Sequence, residues 1–315
     1  MKKFALVILA VLLLAGLYLR QQVLAPGPLK ERVLVQIPRG AGTAAAAQKL
    51  AENGAINSPL LFRLAVRAYR QDNNLKAGEY EFFPRTAMVD VIAKLAAGEV
   101  VYRRLTLPEG LTTRQMLELI SQEPLLSGEI TEKPQEGDLL PETYSFERGD
   151  SRDKIIRRAM AAMKQAKASA WENRGPGLPY QTPEQMIVMA SIIEKETGIP
   201  EERGLVASVF VNRLVKGMRL QTDPTVIYAL TKGEEALGRP LYKKDLEIDS
   251  PYNTYKYYGL PPAPICNPGK ASIEAAVNPE ASNYLYFVAD GKGGHNFAAS
   301  LNEHNKNVSV YRRKN

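Results

Sequence analysis

Only one apolar run in this chain approaches the length of a membrane span. From Phe4 to Leu19 there are 16 residues without a charge (FALVILAVLLLAGLYL), preceded by Lys2 and Lys3 and followed by Arg20-Gln21-Gln22 and Val23-Leu24. A span needs about 20 apolar residues, a length reached at Leu24 if Arg20 snorkels to the interface. A cleaved signal peptide would need a small-x-small site, but bulky Leu17, Tyr18 and Leu19 follow Gly16. No cysteine lies nearby for lipid modification. The pattern therefore predicts a transmembrane signal anchor over 4–24. Residues 1–3 would be cytoplasmic by their positive charge, with everything after residue 25 outside the cytoplasmic membrane.

Beyond the linker Ala25-Pro26-Gly27-Pro28 the periodicity is that of a folded α+β protein. Val33–Ile37 reads as a strand ending at Pro38-Arg39-Gly40, followed by a helix over about 43–53. A second helix, about 58–71, carries Leu60, Leu61, Leu64 and Ala68 on one face. Gly78–Pro84 reads as a strand, and Thr86 as the cap of a helix running to Ala97 and stopped by Gly98. The first pattern recurs: Arg103–Leu107 leads into Pro108-Glu109-Gly110, and Thr112 and Thr113 open a helix through Ile120. Two copies are too few for a solenoid, so a small α+β module is expected there. Residues 121–150 read as irregular, 152–171 as a helix and 175–179 as a loop. The domains expected are a module over 25–100, a connecting α+β region over 101–179 and a mixed α/β domain over 180–315.

Composition narrows the chemistry. The 315 residues carry a net charge of +7 without a dense basic run interleaved with aromatics, so nucleic acid is not an expected partner. Tyr311–Lys314 reads as a solvated tail. The single Cys266 cannot form an intramolecular disulfide, and His295 and His304 lack metal-ligand spacing; neither metal nor cofactor is expected.

The candidate chemistry lies on one helix. Thr182-Pro183-Glu184-Gln185 is a strong helix start, the apolar run Met186–Ile193 follows, and Gly198 and Pro200 stop it after Glu194-Lys195-Glu196-Thr197. At about 100° per residue Glu194 and Glu196 point to nearly opposite faces. Glu196 continues the greasier stripe of Met189, Ile192 and Ile193, where desolvation raises a carboxyl pKa. An acid still protonated near neutrality is what cleavage of a glycosidic bond needs. A structural glutamate satisfied by arginine or backbone fits the same pattern. Asp223, after Leu220-Gln221-Thr222, reads as a helix N-cap, and the loops Pro251–Tyr255 and Gly259–Ile265 offer aromatic faces and amides of the kind that hold sugars. Tyr284–Ala289 reads as a strand entering a glycine turn at Asp290–Phe297, a pattern compatible with a hairpin.

Ala190-Ser191-Ile192-Ile193-Glu194-Lys195-Glu196-Thr197 and Val206-Ala207-Ser208-Val209-Phe210-Val211-Asn212-Arg213-Leu214 together resemble the MltG (YceG-like) endolytic murein transglycosylases. So do Gly217–Tyr228, Tyr252-Asn253-Thr254-Tyr255, Gly259-Leu260-Pro261-Pro262 and Tyr286–Gly291. The resemblance is specific over about 180–310 and weaker upstream, where the module looks LysM-like. It implies Glu196 as the catalytic acid/base in lytic cleavage of the MurNAc–GlcNAc β-1,4 bond within peptidoglycan strands, without water or metal. By motif position Gln221, Asp223, Asn253 and Tyr255 are candidates for holding the sugars. Glycan strands, the membrane and peptidoglycan synthases are the implied partners. The rival readings are a water-using muramidase with Asp223 or Glu194 as second carboxylate, a non-catalytic peptidoglycan-binding scaffold, and a basic anion-binding envelope protein.

Overall fold

The computed structural model describes residues 2–71 and 74–314. The fold is α+β. Eleven α-helices, six strands and one 3₁₀ turn occur among these residues. The chain divides into two compact units, Met1–Arg103 with Ser145–Gly149, and Arg104–Tyr144 with Asp150–Asn315. The stretch 101–179, expected as a connecting region, therefore lies mostly in the same unit as 180–315. The repeated strand-Pro-x-Gly-helix pattern does not make one module either, since its two copies fall largely in different units.

The first unit opens with α1 (Lys2–Leu24) and continues as β1 (Val33–Ile37), α2 (Thr43–Glu52), α3 (Pro59–Ala68), β2 (Gly78–Phe82) and α4 (Met88–Ala97). β1 and β2 pair antiparallel with Val33 opposite Phe82 and Ile37 opposite Gly78. This alternation turns Val35, Ile37, Tyr80 and Phe82 inward onto Leu50, Phe62, Val66, Val91 and Leu95. Ser58 caps α3 by accepting from the Leu61 N–H, with Pro59 opening the helix. Thr86, expected to cap α4, instead closes the turn before it through bonds with Phe83, and Ala87 stands at the cap without a side-chain bond. Gly98 ends α4 at φ +74°, the left-handed conformation a helix stop needs.

α1 differs from every other helix. Along Leu6–Leu24 it is long and apolar enough to cross a membrane, and its leucines and valines are exposed until Val23, which joins the core of the unit. The linker after it is held down. The Gly27 N–H donates to Arg85 O, and a Cβ on Gly27 would collide with the carbonyl of Thr86, so only glycine fits. α1 packs against α3 and α4.

The chain passes from one unit to the other along β3 (Tyr102–Thr106) and β4 (Thr143–Glu147), which pair as a two-stranded sheet. The second unit is largely helical rather than mixed α/β. It holds α5 (Thr113–Gln122), α6 (Arg152–Glu172), α7 (Pro183–Glu196), α8 (Pro200–Val215), α9 (Asp223–Thr231), α10 (Lys270–Val277) and α11 (Leu301–Lys314). Its one complete hairpin is β5 (Tyr286–Ala289) with β6 (His295–Ala298), antiparallel. α7 is the axis of this unit, with α6, α8, α9 and α10 packed around it. Every residue from Met186 to Ile193 is buried, so α7 is a core helix and not an amphipathic surface one.

Candidate active site

α7 carries the candidate catalytic side chain at its last residue. Capped by the Thr182 hydroxyl at the far end, it runs through the core and stops at Glu196, with Thr197 already extended. Because α7 is buried all round, the greasy stripe leading to Glu196 does not separate it from Glu194. Their surroundings do. Glu194 accepts a backbone bond from the Gly269 N–H at 3.0 Å, a structural tie on the other side of the helix. Glu196 ends in a groove of about 490 Å³ lined by Arg213, Gln221, Asp223, Tyr255, Tyr286 and His304, among others.

The loop before α9 supplies the partner of Glu196. Thr222 is at the N-cap but makes no capping bond, because its hydroxyl donates to Glu196 Oε1. Thr222 is itself buried and fixed, its N–H donating to Thr254 Oγ1 at 3.1 Å. The preceding residue, Gln221, has φ +52°, a left-handed conformation costly for a side-chain-bearing residue. Asp223, expected as the N-cap, is instead the first helical residue, and its carboxylate accepts the Tyr255 hydroxyl at 2.6 Å.

Burial pushes the Glu196 carboxyl above the usual glutamate range. The Thr222 hydroxyl opposes this, the Asp223 carboxylate adds to it, and His295 and Arg213 pull the other way. Burial, with Asp223 next, likewise raises the Tyr255 phenol, so it stays protonated and donates.

α8 builds the opposite wall. The Asn212 amide donates to the carbonyls of Ser282 and Tyr284 at 3.0 Å each, and Arg213 Nε donates to Leu285 O at 2.6 Å. Arg213 also donates to the Leu220 carbonyl at 2.8 Å, so one buried guanidinium ties the 220 loop to the start of β5. Its cation lies 5.1 Å from the Tyr286 ring centre, and Tyr286 stacks on His304 at 5.1 Å. Behind it, His295 Nδ1 pairs with Glu202 Oε2 at 2.7 Å, and the His295 ring meets Phe287 edge-on.

Of the residues singled out in the sequence, the structure brings Glu196, Gln221, Asp223 and Tyr255 to this groove. It does not bring Asn253. That side chain is fully buried and spends its amide on Leu246 O, Ile248 O and the Tyr255 N–H. Asn253 therefore shapes the loop that presents Tyr255. Thr222, Arg213, Tyr286 and His304 were not singled out. Thr222 stood between two chosen residues, and the role of His304 depends on α11, whose end reads as a solvated tail.

The arrangement is one half-buried, protonatable carboxyl held by a hydroxyl, on the floor of an open groove with aromatic and amide walls. A family model described as the YceG-like family matches residues 35–310, and the chain belongs to that family. An endolytic murein transglycosylase of Bacillus subtilis (strain 168) is 35% identical over 313 residues, covering 90% of this chain and 85% of the relative. One of Streptococcus pneumoniae (serotype 2, strain D39) is 30% identical over 327 residues, covering 90% of this chain and 59% of that longer protein. A crystal structure of a yceG-like protein from Listeria monocytogenes matches with a TM-score of 0.55 at 36% identity, over 88% of this chain and 99% of that one.

Proposed function

We propose that this chain is an endolytic murein transglycosylase in which Glu196 is both the acid and the base. The observation that carries the reading is the Glu196 carboxyl at the floor of the groove, its pKa raised by burial and its Oε1 held by the Thr222 hydroxyl. Neutral Glu196 gives its proton to the oxygen leaving C1 of the muramic sugar as that bond breaks. An oxocarbenium-like centre develops at C1. The carboxylate then takes the proton of the same sugar's C6 hydroxyl, whose oxygen closes on C1. The products are a 1,6-anhydro-muramic end and a free 4-hydroxyl, with no water consumed and the enzyme restored.

One carboxyl serves both steps, so no second carboxylate at a fixed distance is required. Asp223 stands close enough to raise the pKa of Glu196, and its bond to Tyr255 suits a role in tuning that acid and holding a sugar hydroxyl. Gln221, Tyr255 and the Tyr286 face serve as sugar contacts along the groove.

α1 anchors the protein as a single pass in the cytoplasmic membrane, residues after 25 lying on the outer side. That placement sets the groove beside nascent strands and the synthases that extend them. The first unit serves as the LysM-like module implied by the sequence. Its β-α-α-β order and its own core suit a module that spaces the enzyme or holds glycan.

The test is digestion of purified sacculi and of nascent, un-cross-linked glycan by the full chain in detergent. Wild type should release 1,6-anhydro ends and Glu196→Gln should not. Equal release by the variant would remove Glu196 from the chemistry. No cutting by a folded wild type on either substrate would favour the binding-scaffold reading.

A further inference from the structure

α3 presents to its surroundings a face that suits neither water nor the core of its own unit. Phe62, Ala65 and Val66 turn inward. Leu60 and Leu64, on the apolar face read from the sequence, are 64% and 50% exposed. On a helix they stand one turn apart, and Arg63 and Arg67, also exposed, flank them, with Tyr69 and Arg70 just beyond the helix end. No described carboxylate forms an ion pair with Arg63, Arg67 or Arg70.

What covers this face follows from its neighbour. α3 and α1 form a groove of about 360 Å³ lined by Gly16, Leu19, Arg20 and Val23 on one side, with Leu61, Leu64 and Ala68 among the residues opposite. Gly16 and Leu19 belong to the uncharged run itself. That run of 16 residues is about 24 Å long at 1.5 Å per residue, short of a hydrocarbon core of about 30 Å, so a helix that spans must be immersed beyond Leu19. A helix lying alongside residues 16–23 is then at the depth of the outer headgroup and acyl boundary. Val23 buried in the core of the unit, and Gly27 tied to Arg85, hold α3 at that depth.

We propose that α3 is a second membrane contact, an interfacial helix seated on an anionic lipid surface. Leu60 and Leu64 enter the acyl boundary of the outer leaflet, while Arg63, Arg67 and Arg70 meet lipid phosphates. Short apolar faces bordered by arginine bind in this manner. The proposal rests on the reading of α1 as a spanning anchor, and it fixes the first unit flat on the membrane instead of free on a tether.

The test uses the full chain with Cys266→Ala in nanodiscs of phosphatidylcholine with phosphatidylglycerol. A nitroxide is placed singly at Leu12→Cys in α1, Leu64→Cys in α3, and Val215→Cys, an exposed position of the second unit. The ratio of collision rates with oxygen and with a water-soluble nickel chelate reports depth. The expected result is a high ratio at position 12, an intermediate one at 64 and a low one at 215. Arg63→Glu with Arg67→Glu should lower the ratio at 64 toward that at 215. A membrane-like ratio at 12 with a water-like ratio at 64 would overturn the proposal and leave the anchor standing. If added glycan fragments then shield position 64 from the chelate, the face belongs to glycan. A water-like ratio at 12 would overturn the anchor reading and this proposal with it.

Discussion

The proposed chemistry turns on how one carboxyl, that of Glu196, is held. Two neighbours act on Glu196 in opposite directions, which gives a test with signs. The Thr222 hydroxyl stabilises the carboxylate, so Thr222→Val should raise the pKa of Glu196 and move the alkaline limb of kcat/KM to higher pH. Asp223 destabilises it, so Asp223→Asn should move the same limb to lower pH. Shifts in the same direction for both variants would contradict the assignment. The raised pKa also touches stability. A glutamate whose pKa is higher folded than unfolded contributes stability below the unfolded value and loses it as pH rises through the folded one. Glu196→Gln, a permanent mimic of the neutral acid, should therefore unfold at a higher temperature than wild type at pH 8. At pH 4 the two should converge, as differential scanning calorimetry would read. The position of Glu196 at a helix end was legible from the sequence, through the Glu-Lys-Glu-Thr motif before Gly198 and Pro200. No greasier stripe singles Glu196 out, because a helix buried on every side has no greasier face. Asn253 illustrates the reverse limit: an amide in a suggestive motif is indistinguishable, by sequence, from one spent on backbone carbonyls.

At the scale of elements, legibility followed the local signals. α7 and α5 begin where threonine caps stand, and Gly98 stops α4 where the pattern placed it. α10 and β4 were missed: eight and five residues carry too little periodicity, and packing decides them. Only the end of α11, Tyr311–Lys314, was read from the sequence, as a solvated tail, while the helix as a whole packs on β5 and β6. The cap of α5 carries a prediction. Thr112 accepts from the Gln115 N–H and donates to Gly233 O at 2.8 Å, so two connections depend on one hydroxyl. Thr112→Ala should cost about 1–2 kcal/mol, measured by denaturant unfolding, while Thr86→Ala, which touches only a turn, should cost less. Equal losses would contradict the cap assignment.

For the whole molecule, the sequence predicted a membrane anchor and a folded α+β remainder; the structure has an N-terminal helix long and apolar enough to cross a membrane, and two compact units. The boundary between the units was not legible, because Ser145–Gly149 returns to the first unit from far along the chain and no composition shift marks it. The proposed topology makes a prediction at this scale. Added to spheroplasts, protease should digest the chain beyond residue 25, and the remaining fragment containing α1 should resist carbonate extraction. Full protection of the second unit in intact spheroplasts would place it on the other side of the membrane.

The central claim is a single-carboxyl cleavage in which water takes no part. It is tested most directly by digesting glycan strands with the full chain in water enriched in oxygen-18 and weighing the new muramic ends. The account predicts anhydro ends with no heavy oxygen from wild type and no new ends from Glu196→Gln. Reducing ends carrying one heavy oxygen would identify a hydrolase, make Asp223 the candidate second carboxylate, and contradict the mechanism derived from Glu196.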